Sequence, residues 1–143
     1  MTNAPGSKFL LVVGILYIVF GGFGVIGAIS GLALTNHWNT TLPTASGMSW
    51  AIFYGFGLVA ALFSVFIGLM GLLNRERLEK AAMLRMLGVI ALLFIIVEAI
   101  FSMAVFAGAL GGVAAVFSII FGAVLPVLYI IGAQKNVSAQ KTR

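Results

Sequence analysis

Leu87–Gly108 reads LGVIALLFIIVEAIFSMAVFAG, and its only ionisable residue is Glu98. About 20 apolar residues, at 1.5 Å each, cover the hydrocarbon core of a bilayer, so this stretch is long enough to cross one. Glu98 falls near its midpoint, where an ionised carboxylate is costly and a function is the default expectation. Working outward, the chain divides into four spans at about 9–35, 48–73, 87–108 and 113–131. A polar outer loop, 36–47, follows the first span. A basic connector, 74–86, follows the second, and its Glu76 and Lys80 stand at helical i,i+4 spacing. The connector therefore reads as a continuation of the helices on either side. Ala109–Gly112 (ALGG) reads as a tight turn, and the polar, basic tail 133–143 as a fraying end.

Composition agrees with a single membrane domain over 1–143. Hydrophobic residues make up 62% of the chain and charged residues 8%, against about 45–50% and about 25% in soluble domains. Such an excess must face lipid or other helices. There is no cysteine or aspartate, one histidine (His37) and three glutamates. That inventory cannot readily supply a nucleophile, a base and a group to orient the base, so no enzyme, metal site or cofactor is expected. His37 reads as a solvated loop residue, and the Asn39-Thr40-Thr41 sequon carries little weight.

All eight Lys and Arg lie in the N-terminus, the connector or the tail, and none in the outer loop or the 109–112 turn. With four spans these basic segments share one side, which the positive-inside rule makes cytoplasmic: N-in and C-in, in the cell membrane. They suit anionic lipid headgroups better than nucleic acid. Trp38, Trp50 and Tyr54 then belong at the outer interface and Tyr129 towards the inner one.

Each span carries small residues at alternating steps of three and four. The first has Gly14, Gly21, Gly24 and Gly31 with Tyr17 and Ala28; the second has Gly57, Gly68 and Gly71 with Tyr54, Ala61 and Ser64. The third runs through Gly88, Ala91, Ile95, Glu98, Ser102 and Val105. The fourth runs through Gly111, Ala115, Ser118, Gly122, Leu125, Tyr129 and Gly132. In lipid, helices associate through close backbone contact, so these stripes read as packing seams. A 3.5-residue period winds helices left-handed. The expected fold is thus an all-α, left-handed four-helix transmembrane bundle.

Folding the third and fourth spans as a hairpin brings Glu98 level with Gly122. Pro126 has no N–H to give the Gly122 carbonyl and marks a kink. A protonated Glu98 is then a candidate donor to that carbonyl or to Ser118, and Ser64 and Ser102 complete a candidate intramembrane polar site.

The first span, Leu10–Gly31 (LLVVGILYIVFGGFGVIGAISG), resembles small uncharacterised four-helix membrane proteins of Gram-positive bacteria. That resemblance implies a fold and no function. Size, span number and the membrane carboxylate are similar to small multidrug resistance transporters, whose glutamate, however, sits in the first span. Rotor-ring proteolipids carry theirs in the last helix of their four-span forms. The first functional expectation is a structural or accessory protein that self-associates or docks to a membrane partner. The second is a proton-coupled transporter or channel subunit using Glu98.

Overall fold

The computed structural model describes residues 4–42, 44, 49–106 and 108–141. Among these the chain is entirely helical, with no strand. α1 spans Ser7–Ala33, α2 Thr35–Thr41, α3 Trp50–Asn74, α4 Ala81–Val105, α5 Gly108–Gly122 and α6 Val124–Lys141, and a 3-10 turn at Leu78–Lys80 leads into α4. Four helical segments are long and apolar enough to cross a membrane, with α5 and α6 together forming the fourth. Residues 43 and 45–47 of the expected outer loop, and Met48 at the start of the second span, lie outside the described residues.

Four expected boundaries need correction. The outer loop contains a helix, α2. The connector does not continue its neighbours: Arg77 is extended and its N–H donates to the Asn74 carbonyl at 3.0 Å. The connector's ion pair is Arg75 with Glu76, at 3.4 Å, rather than Glu76 with Lys80. The third span ends at Val105 with Phe106 extended, and Ala109–Gly112 are already helical. The described part of the tail is helix up to Lys141 and packs against the bundle instead of fraying.

Asn136 explains both the break in the connector and the order of the tail. It is completely buried. Its Oδ1 accepts from the Gly6 N–H at 2.7 Å, and its Nδ2 donates to the Arg75 carbonyl at 3.0 Å. The N–H lies at the start of α1 and the carbonyl at the end of α3, where helices leave backbone groups unpaired. One amide side chain thus ties three segments of the chain together.

Packing runs α1 on α3, α3 on α4, α4 on α5 and α6, with α6 closing back on α1. The α1–α3 seam is the tightest. A Cβ on Gly68 would stand 2.6 Å from the Gly14 carbonyl oxygen, and one on Gly21 would stand 3.0 Å from the Ala61 carbonyl oxygen. Only glycine lets these backbones come so close. Gly71 abuts Tyr129, Gly31 abuts Tyr54, and Gly24 faces Ala61. Gly57 does otherwise: nothing lies within 4 Å of where its Cβ would stand.

The bundle has three levels. At the basic end a dry core joins Leu10, Val13, Tyr17, Ile67, Leu84, Tyr129 and Ala133. Tyr129 is therefore in the core, not at an interface. It is fully buried and donates to the Ile67 carbonyl at 3.1 Å. The opposite end is capped by rings. Trp50 stacks on Tyr54 at 5.9 Å, with Trp38, Phe53 and Phe106 around it. Trp50 Nε1–H donates to the Leu42 carbonyl at 2.7 Å, and the Trp50 backbone N–H to Asn39 Oδ1 at 3.2 Å. Between core and cap lies a cavity.

Candidate functional site

Small residues make the cavity. α1 supplies Gly21 and Gly24, and α3 supplies Gly57, Ala60, Ala61 and Ser64. With only small side chains at the centre, the helices leave a partly open cavity of about 250 Å³. Phe63 and Phe94 form apolar walls, and Gly122, Leu125 and Pro126 close it from the fourth span. Here the fourth span is broken. α5 ends at Gly122 and α6 begins at Val124, two residues before Pro126. Because Pro126 offers no N–H to the preceding turn, the helix loosens at that level. α5 follows α4, whereas α1 meets the fourth span through α6. The cavity is open to the outer surface, and the exposed Phe20 stands at its edge.

Glu98 lines this cavity and also a second, of about 280 Å³, bounded by Gly24, Ala28, Phe53, Tyr54 and Gly57 beneath the aromatic cap. It is half-buried. Among the described residues its carboxyl makes no hydrogen bond or ion pair. The expected bond to the Gly122 carbonyl or to Ser118 is not formed, although Gly122 shares the cavity. The Gly122 level is instead occupied by the Ile95 side chain, 3.3 Å from where a Cβ would stand.

The expected serines divide. Ser64 lines the cavity, its hydroxyl donating to the Ala60 carbonyl at 2.9 Å. Ser102 is buried outside it and donates to the Glu98 backbone carbonyl at 2.9 Å. Ser118 lies on α5 away from the lining. The polar residue that the sequence reading missed is Tyr17. It is 5% exposed, lines the cavity, and its hydroxyl has no hydrogen-bond partner. Its ring is held edge-on to Tyr129 at 5.8 Å. A tyrosine on a small-residue stripe reads as packing. The signal available was that its hydroxyl, deep in a span, needs a partner that no nearby sequence position supplies.

No group of three or more His, Asp or Glu that could hold a metal forms among the described residues. Chemically the site offers one carboxyl, one phenol and aromatic walls. Comparison of the chain with protein-family models, with curated proteins and with solved structures finds no match.

Proposed function

We propose that this chain is a non-enzymatic cell-membrane protein, N-in and C-in and wound left-handed, that acts as a proton-coupled transporter or channel subunit through Glu98. The observation that carries this reading is the carboxyl of Glu98 on a cavity wall without a partner. A glutamic acid kept to join helices would be bonded between them, since polar groups in lipid are satisfied inside the protein. A carboxyl left open at mid-span depth is better explained by a proton or ligand that it receives. Its place on the walls of two cavities, one reaching the dry core and one the aromatic cap, suits a group that passes something along the bundle.

Gly14, Gly21, Gly24, Gly31, Gly68 and Gly71 are occupied by contacts within this chain, so they are not surfaces for a second copy. The test is proton flux into proteoliposomes under a pH gradient, read by an internal dye. Wild type should conduct, and Glu98→Gln should lose the flux while melting like wild type. Equal flux in both would return the protein to the structural and accessory class.

A further inference from the structure

We propose that the cavity binds a small organic cation, an amine with an apolar aromatic or alkyl body, which enters sideways from the lipid past Phe20. This rests on the reading of Glu98 as a binding group and adds the class of ligand. Among the described residues Glu98 is the only carboxyl in the cavity lining, and no Lys, Arg or His joins it there. The titratable groups facing it there and in the adjoining cavity are the phenols of Tyr17 and Tyr54. The matching ligand therefore brings its own positive charge. Phe63 and Phe94 stack on each other at 5.0 Å within a ladder that Phe66 and Phe56 continue, and give the wall an apolar surface for the ligand's body. Phe20, which stacks on no ring among the described residues, keeps a face free for a cation.

The second pole of the site is Tyr17. Tyr17 lies seven residues before Gly24, the α1 residue that shares both cavities with Glu98. Seven residues of helix rise about 10 Å. A hydroxyl so buried and unpartnered at the far end favours a ligand with a second polar group at the end away from its ammonium. The volume, about 250 Å³, is below the usual range for drug-sized ligands and limits the body to roughly one ring and a short chain. Access through the membrane follows from the exposure of Phe20 at the cavity's edge, since the basic end is closed by the packed core.

The experiment is calorimetric titration of the detergent-purified full chain with three probes. They are 4-phenylbutylamine, its neutral counterpart 4-phenylbutanol, and 4-(4-hydroxyphenyl)butylamine. The amine should bind at least tenfold more tightly than the alcohol, a comparison within the wild-type protein that needs no variant. Glu98→Gln should remove that preference, and Tyr17→Phe should weaken the hydroxylated amine alone. Alcohol binding equal to the amine, yet lost in Glu98→Gln, would overturn the cation assignment and leave the Glu98 site standing. Failure of all three probes to bind at millimolar concentration, or binding unchanged in Glu98→Gln, would overturn the cation assignment together with the site.

Discussion

Gly68 stands where α1 and α3 come closest, Gly24 faces the Ala61 side chain along the same seam, and Gly22 stands off that line with nothing within 4 Å. Leucine at Gly68 would drive its Cβ onto the Gly14 carbonyl, a backbone atom that cannot swing aside. At Gly24 the obstacle is the Ala61 Cβ, 3.0 Å away, so a smaller shift suffices. Overpacking of this kind costs about 1–3 kcal/mol. Thermal melting in detergent should rank Gly68→Leu as least stable and Gly24→Leu next, with Gly22→Leu close to wild type. Equal loss at all three would mean that the seam lies on another face. The seam was legible in the sequence because close backbones select small residues at helical spacing. Gly57 shows the limit of that signal. An empty space between helices selects small residues as well, and the pattern does not distinguish contact from void.

At the level of elements, hydropathy was enough to place four spans, because each carries too few charges to belong anywhere but in a membrane or a core. Where helices stop was harder to read. The break at Arg75–Arg77 contains neither Gly nor Pro, and the carbonyl it frees is taken by Asn136, 61 residues away. Composition likewise makes residues 133–141 a polar tail, whereas the fold buries Ala133, Asn136 and Val137 on one side of α6. A partner that distant leaves no local trace. Asn136 gives the tail its order, so Asn136→Ala should cost about 1–3 kcal/mol by stranding the Gly6 N–H and the Arg75 carbonyl. Asn136→Asp should do no better, since a carboxylate accepts from Gly6 but faces the Arg75 carbonyl without a proton to give. Hydrogen exchange read on the 133–141 backbone checks both. Protection should match that of α3 in the wild type and fall in either variant. Unchanged protection would mean that apolar packing of Ala133 and Val137 alone holds the helix.

At the scale of the whole molecule, the basic and aromatic ends differ in what water or lipid headgroups would meet. At one end Arg85 donates to Gln134 at 3.1 Å, and Lys135 lies 4.3 Å over the Phe9 ring. Cationic side chains there are gathered by the same knot that Asn136 makes. At the other end the rings of Trp38, Trp50 and Tyr54 cluster beside α2, which carries no Lys, Arg, Asp or Glu. Because translocating Lys and Arg is disfavoured, the proposed orientation puts the basic end in the cytoplasm and α2 outside. Single cysteines can be added without disturbing a native thiol, since the chain has none. Asn36, Thr40, Arg77 and Lys141 are all exposed and suit the purpose. In intact cells a membrane-impermeant maleimide should label cysteine at 36 and 40 but not at 77 or 141, and all four after permeabilisation. Labelling of 77 from outside would invert the topology and place the opening beside Phe20 in the opposite leaflet. Partial labelling at every position would indicate insertion in both orientations, which an eight-to-none division of Lys and Arg between the two sides argues against.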